Sequence, residues 1–487
     1  MASKMVRSFW FWLFAVTAAR LLVLVFADGD LGPDEAQYWT WAQEPAAGYF
    51  SKPPMIAWLI AATTGVFGDS EWAVRLAAPL LHAGAASFIY LTARLVFDAR
   101  IGFWAGIGWL ALPGVAVSSF VITTDAPLLF FWSAALFFLM RILKAPTPRG
   151  TDFAALGAAL GAGLLSKYAM LYFPVALAAA MALSPAARRA FARPGMIAAA
   201  LIAAVIFAPN IAWNAANDFQ TVSHTAANAN WTSFPFKPLA FLSFALAQFA
   251  VFGPIAFAAL IAAAAAALAR PRIDAPRLVL AVFTATPFLI VSGQALISRA
   301  HANWAAAAFP AAIILVTAFL LQENRVRIAR ASLGLNAAIA AILAVAVTQF
   351  ALIDAVGAGR AVETLRGWKD MTEAIDEQAR TKDYDVVLFD DRSMIAEMFY
   401  YQRERDYEIA ALDPNSGVDH HYEAFTPFRA DAHRNALFVS ILPTDAHVNY
   451  RFGRIERVGD ASGRVGPGAT RIFTLFEISD YGRPKQD

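Results

Sequence analysis

There is no cysteine in the 487 residues, which excludes disulfides, thiolate nucleophiles and cysteine-ligated metals. Charge is scarce too: Asp, Glu, Lys and Arg make up 16% of the chain, against 59% hydrophobic residues. A soluble domain carries about a quarter charged residues, so this composition points away from one. The net charge is only +2 and no basic run occurs, which removes the electrostatic footprint of a nucleic-acid binder. No nucleic acid is expected as a partner. A repeat of roughly 20–50 residues, the signature of a solenoid, is also missing.

What the chain has instead is long apolar runs. Stretches able to cross a hydrocarbon core of roughly 30 Å fall near 9–27, 73–97, 101–119, 126–143, 196–212, 238–269, 278–297, 305–321 and 332–353. The run from Phe9 to Ala27 is longer than a signal-peptide core and lacks a small-x-small cleavage site, so it reads as a retained first span. The stretch 152–183 is too long for one helix and is interrupted at Ser166-Lys167. Cytoplasmic loops collect Lys and Arg, and that rule sets the count. With 152–183 as two short passes, Lys4/Arg7, Arg94/Arg100, Arg141/Lys144/Arg149, Arg188/Arg189/Arg193, Arg270/Arg272/Arg277 and Arg325/Arg327/Arg330 share one side. The same logic makes 238–269 cross once, bent at Gly253-Pro254. The expectation is a polytopic α-helical membrane protein of about eleven transmembrane helices, multi-pass in the cytoplasmic (inner) membrane. Its N-terminus is expected on the cytoplasmic side.

Residues 1–356 form the membrane domain in this reading, with a first outside loop at 28–72. Residues 357–487 are rich in charge and contain no spanning run. Asp385–Asp390, Ala436–Leu442 and Arg471–Glu477 read as strands, and Lys369–Ala379 and Ser393–Tyr401 as helices. A small extracytoplasmic α/β domain is therefore expected after the last span, in the periplasm.

The outside face holds Lys52, Arg75, Lys167, Lys237 and Arg299, where charge bias normally keeps cations away. Snorkelling at a helix end accounts for Arg75. The others share their face with Asp28, Asp30, Asp34, Glu35, Asp125 and His301, which suggests a polar site at the membrane surface. Its most pointed part is the first loop: Leu31-Gly-Pro-Asp-Glu-Ala-Gln-Tyr-Trp39, then Tyr49-Phe-Ser-Lys-Pro-Pro54. Asp34-Glu35 beside a Lys-Pro-Pro step resembles the first loop of the GT-C glycosyltransferases that use a polyprenyl-phosphate sugar. These include the lipid A aminoarabinose transferase and the protein O-mannosyltransferases. The resemblance is strong to about residue 130, fair to about 305 and weak over the C-terminal domain.

That resemblance implies an inverting glycosyltransferase on the outer face of the cytoplasmic membrane. Its donor is a polyprenyl-phosphate sugar within the membrane lipids, and its acceptor is a glycolipid, a glycan or a protein. The chemistry asks for a carboxylate to take the acceptor's hydroxyl proton and for cations to meet charge developing on the departing phosphate. Asp34 matches the family's catalytic aspartate. Glu35 either shares the site or orients it, since adjacent helical residues point about 100° apart. Lys52 matches the lysine that contacts the donor phosphate. Tyr38 and Tyr49 match aromatic positions flanking that phosphate, and equally suit an interfacial aromatic belt.

Asp125, in Thr123-Thr-Asp-Ala-Pro127, resembles the family's second acidic motif and is expected in catalysis. It also suits a cap for span 4, with Pro127 just inside the helix. Lys167 binds phosphate or snorkels. Arg299, His301 and Asn303, followed by Trp304, resemble a family branch and are candidates for the leaving phosphate. Trp213-Asn214 and the aromatic loop with His224, Trp231 and Phe234–Phe236 suit a sugar or an acceptor, or interface anchoring. His420-His421 lacks a ligand set at metal spacing. No cofactor is expected; a divalent ion on the acidic pair is the alternative, disfavoured because the outside cations already serve the phosphate. Two other functions compete. A transporter or flippase would place its charges near the midplane and show repeats, and a non-catalytic sensor leaves the acidic pair and Lys-Pro-Pro unexplained.

Overall fold

The computed structural model describes residues 2–229, 236–268, 274–413, 417–429, 435–448 and 451–481. By internal contact the chain divides into two compact units. The first is Met1–Val25, Lys52–Leu59 and Arg75–Val345; the second is Phe26–Ser51, Ile60–Val74 and Ala346–Asp487. Much of the first loop thus belongs to the same unit as the C-terminal residues.

Among the described residues seven helices are long and apolar enough to cross a membrane: Met5–Val25, Glu71–Val96, Asp125–Lys144, Gly195–Ala216, Ala275–Ile297, Ala302–Gln322 and Val326–Thr348. Counting the pair Pro238–Val251 and Pro254–Ala267 as one makes eight. The expected eleven differ from these by short or broken segments. The stretch 101–119 supports only Ala99–Ala111 before Pro113 opens a new short helix. Residues 152–183 divide as anticipated, into apolar helices Gly150–Ser166 and Tyr168–Leu183, each short. The break at Gly253-Pro254 is also where it was expected, but the turn is 114°, far beyond the bend of a continuous span. Gly253 has φ +92°, and its missing side chain leaves room for Asn336, so backbone conformation and packing both demand glycine there. Met55–Phe67 is an apolar helix within the stretch expected as the first outside loop.

The core of the first unit is built from aromatic wedges and small residues. Trp132 meets Phe173 and Phe283 edge-on at centroid distances of 5.1 and 6.0 Å, and Phe173 meets Phe283 at 4.7 Å. Each such pair contributes about 0.5–1.5 kcal/mol beyond area burial. Gly157 and Gly161, one turn apart, let Gly150–Ser166 lie against Gly195–Ala216. A Cβ at Gly161 would fall 2.7 Å from Ile206, and one at Gly157 would strike the Ala199 backbone. Small residues at this spacing are how apolar helices approach where no water is squeezed out between them.

The second unit carries a five-stranded sheet: β1 Val386–Phe389, β2 Glu408–Ala411, β3 Ala436–Ser440, β4 Phe452–Gly466 and β5 Ala469–Tyr481, in the order β2-β1-β3-β5-β4. β1 pairs in parallel with β2 and β3, while β5 pairs antiparallel with β3 and β4. The parallel strands are buried apolar runs, as strands covered on both faces must be. Helices Trp368–Thr381 and Arg392–Tyr401 lie where the sequence placed them. First-loop residues are stitched into this unit. Asp30 Oδ2 accepts from Trp368 N at 2.8 Å, the Leu31 amide donates to the Tyr401 hydroxyl at 2.9 Å, and Trp39 Nε1 donates to Asp69 Oδ1 at 2.7 Å.

Candidate active site

In the second unit the acidic pair opens a helix, Pro33–Gln43, whose start is set by Pro33 at its first position. The two carboxylates take different jobs. Glu35 is 1% exposed, and its Oε2 accepts from the Gly32 amide at 3.0 Å, half of a capping box. Asp34, one residue earlier, is exposed and faces Arg392, whose Nη2 donates to Asp34 Oδ1 at 2.9 Å. Nη1 of the same guanidinium donates to Gln37 Oε1, one helical turn beyond Asp34. Burial draws the Arg392 pKa down, but the charge of Asp34 and the hydrogen bond to it outweigh this and raise it above the ordinary arginine value.

Tyr38 and Tyr49 are both buried. The Tyr49 ring stacks on Trp41 at 4.8 Å, and its hydroxyl donates to the Trp41 carbonyl and accepts from the Ala46 amide, each at 2.9 Å. Burial pushes that phenol up to about 12. Tyr38 lies against Trp41 at 5.4 Å. These contacts close the turn after the helix. His420 caps the short helix His421–Phe425 through its ring, and His421 packs edge-on against Trp41 at 5.5 Å. Burial holds His420 down to about 4, with the Arg392 charge contributing, and His421 down to about 3.

The first unit contains a separate polar group. Asp125 stands in the first turn of Asp125–Lys144 and is 7% exposed. Its Oδ1 takes Lys167 Nζ at 2.7 Å and its Oδ2 takes Asn303 Nδ2 at 2.6 Å. Lys167 occupies the break between Gly150–Ser166 and Tyr168–Leu183, extended at φ −162°. Asn303 lies in the 3₁₀ segment Ala302–Ala308, which His301 precedes. The three residues are far apart in sequence and meet here. Both oxygens of Asp125 are engaged, so it holds a lysine and an asparagine in place. Arg299 and His301 are exposed on the stretch leading to Asn303, and His301 lies edge-on to Trp304 at 5.3 Å. Lys52 is half-buried in the Lys52–Leu59 segment of this unit. Asn214, buried on Gly195–Ala216, donates to the Tyr168 hydroxyl at 3.2 Å, and Tyr168 donates to Asn210 Oδ1 at 2.8 Å. Trp231 and 234–235 of the aromatic loop lie outside the described residues.

A family model described as dolichyl-phosphate-mannose-protein mannosyltransferase matches residues 51–213. Over 428 residues the chain is 35% identical to the lipid A galacturonosyltransferase RgtD of Rhizobium johnstonii, covering 87% of this chain and 89% of that protein. The chain belongs to the GT-C glycosyltransferases. The undecaprenyl phosphate-alpha-4-amino-4-deoxy-L-arabinose arabinosyl transferase 1 of Pseudomonas fluorescens is 29% identical over 150 residues, 28% of this chain and 27% of that one. The crystal structure of apo ArnT from Cupriavidus metallidurans shares the fold, with a TM-score of 0.65 at 17% identity over 96% of this chain and 97% of that chain. This GT-C chain is therefore a multi-pass membrane glycosyltransferase.

Three residues of this glycosyltransferase lie outside the motifs of the sequence. Arg392 and Gln37 engage the acidic loop. A signal for Arg392 existed: Asp390-Asp391-Arg392 follows a buried strand, and the carboxyl ends of parallel strands are where such sheets present polar groups. The third is Arg20, 6% exposed within the first apolar helix, where Nη2 donates to the Leu110 carbonyl. A charge inside an apolar run was the signal there.

Proposed function

We propose that this glycosyltransferase takes its sugar from a polyprenyl-phosphate donor, transfers it with inversion and uses a lipid acceptor of the outer leaflet. A uronic acid as the sugar and lipid A as the acceptor are the most specific form of this reading. The relationship to the lipid A galacturonosyltransferase along nearly the whole chain is the observation that carries it. Asp34 is the base: it is the exposed member of the acidic pair, whereas Glu35 is buried in its cap. As the acceptor oxygen bonds to the anomeric carbon, its proton passes to the Asp34 carboxylate. The bond from that carbon to the phosphate oxygen breaks, and the electron pair leaves with polyprenyl phosphate. Lys52, Arg299 and His301 meet the charge that develops on the phosphate. Asp125, with both oxygens bonded, holds Lys167 and Asn303 in position. The N-terminus lies in the cytoplasm and residues after 354 in the periplasm, supported by the six Lys/Arg clusters.

The test is transfer by purified full-length protein in lipid nanodiscs. It is offered polyprenyl-phosphate galacturonate or aminoarabinose with lipid A, and the product is read by mass spectrometry. Asp34→Asn runs in parallel and is expected to be folded and slowed by about 10²–10⁴-fold, the contribution of a general base, with a residual rate still measurable. Transfer from the first donor supports the specific reading. Transfer only from the second replaces the sugar, and no transfer from any polyprenyl-phosphate sugar sinks the proposal. An alkaline phosphatase fusion after residue 360 is expected to be active; an inactive one overturns the sidedness.

A further inference from the structure

Within the second unit the sheet delivers a side chain to the acidic loop. β1 ends at Phe389, and the next three residues are Asp390, Asp391 and Arg392. Each of the two aspartates is anchored. Asp390 Oδ2 accepts from the Ser440 hydroxyl at 2.6 Å and lies 2.8 Å from His447 Nε2. Asp391 caps Arg392–Tyr401 by accepting from the Met394 amide at 2.9 Å. Arg392 is therefore the first residue of a capped helix that follows the carboxyl end of a parallel strand. Its guanidinium reaches two points on one face of Pro33–Gln43, Asp34 Oδ1 and Gln37 Oε1. Two-point attachment fixes the plane of the fork, which a lysine cannot do. Among the described residues no other side chain bonds to the Asp34 carboxylate.

We propose that Arg392 is a positioning residue for Asp34, binding Oδ1 so that Oδ2 is turned outward to receive the acceptor's proton. The inference rests on the reading of Asp34 as the base. An exposed carboxylate rotates about its Cβ–Cγ bond and spends little time in any one orientation; the guanidinium removes that freedom before the acceptor arrives. Gln37, buried one turn on, holds the guanidinium while the acceptor enters. The second unit thus supplies both the base and the side chain that positions it.

Four full-length proteins in nanodiscs test this: Asp34→Asn, Arg392→Gln, Arg392→Lys and the double variant Asp34→Asn/Arg392→Gln. Arg392→Gln is expected to lose about 10²-fold in kcat, the cost of a misplaced reacting group, with donor KM within about twofold. Arg392→Lys should recover only part of that loss. In the Asp34→Asn background the Arg392 change should cost nothing further, because there is no base left to orient. Purely structural damage would instead lower the double variant below Asp34→Asn alone, and that result overturns the proposal. Wild-type turnover in a folded Arg392→Gln overturns it too. If Arg392→Gln does not fold, Arg392→Lys decides: wild-type kcat overturns the inference and a kcat-only loss supports it. Asp34→Asn at the wild-type rate would refute the base itself, whereas a slowed Asp34→Asn beside a fully active Arg392→Gln refutes only the positioning role.

Discussion

Lys167 Nζ lies 2.7 Å from Asp125 Oδ1, joining the break between two short apolar helices to the first turn of a third. The Asp125 side chain is 9% exposed and that of Lys167 23%, so neither charge is fully hydrated. Removing one partner from a fully buried pair costs about 3–5 kcal/mol. Partial exposure of the lysine lowers this to about 1–3 kcal/mol. Asp125→Asn and Lys167→Met are each expected to lower the thermal midpoint of the purified protein in detergent. The double variant should lose less than the sum of the singles, because neither charge is then stranded. Additive losses would show that the two residues do not depend on each other.

The same triad shows what was legible in the sequence and what was not. Asp125, Lys167 and Asn303 were each recognisable as polar residues at the ends of apolar runs. No local pattern says that residues so distant in the chain share a carboxylate. The break at Ser166-Lys167 was readable because an uninterrupted run of that length exceeds a span, and the Gly253-Pro254 break because both residues disfavour helix. The 114° angle was not, since neither residue sets an angle by itself and the packing of Asn336 beside Gly253 comes from a helix distant in the chain. Strands β1 and β3 announced themselves as apolar runs. β4 did not, because the charged, half-exposed sequence from Phe452 to Gly466 lacks one and is held by pairing with β5. Asp34 stood out as half of a motif, while its partner Arg392 came from a segment whose resemblance to the family was weak.

Lys52→Ala and Arg299→Ala are expected to weaken the donor complex as well as to slow transfer. A hydrogen bond to a charged group contributes about 1.5–3 kcal/mol, which corresponds to roughly 10–150-fold in affinity. Binding of a polyprenyl phosphate to each variant in nanodiscs, beside single-turnover rates, provides the check. Unchanged affinity and rate in both would reduce these cations to interface anchors.

His421 carries a pH prediction for the second unit. Its folded pKa is held down to about 3, first by burial and then by the neighbouring His420. An unfolded histidine titrates near the ordinary value of about 6.5. Between those values the unfolded chain binds a proton that the folded chain refuses, so stability falls as pH drops below about 6.5 and continues to fall towards 3. His420, held down to about 4, acts in the same direction, with Glu423 facing it at 3.4 Å. Replacing His421 by Phe should flatten the thermal midpoint against pH over that window. An unchanged slope would mean that His421 is not the group refusing the proton.

Transfer is expected to survive exhaustive EDTA treatment. Asp34 Oδ1 already holds a guanidinium, and the two oxygens of Asp125 hold Lys167 and Asn303. A resident divalent ion would have to displace those donors and would then sit beside Arg392 or Lys167, like charge against like. Under the proposed function Lys52 and Arg299 serve the phosphate, and a donor with one phosphate lacks the second group between which Mg²⁺ is commonly shared. Rates measured before and after chelation decide the matter. If turnover disappears and Mn²⁺ or Mg²⁺ restores it, Asp34 becomes a ligand. Arg392→Gln should then tighten metal binding by removing the competing charge.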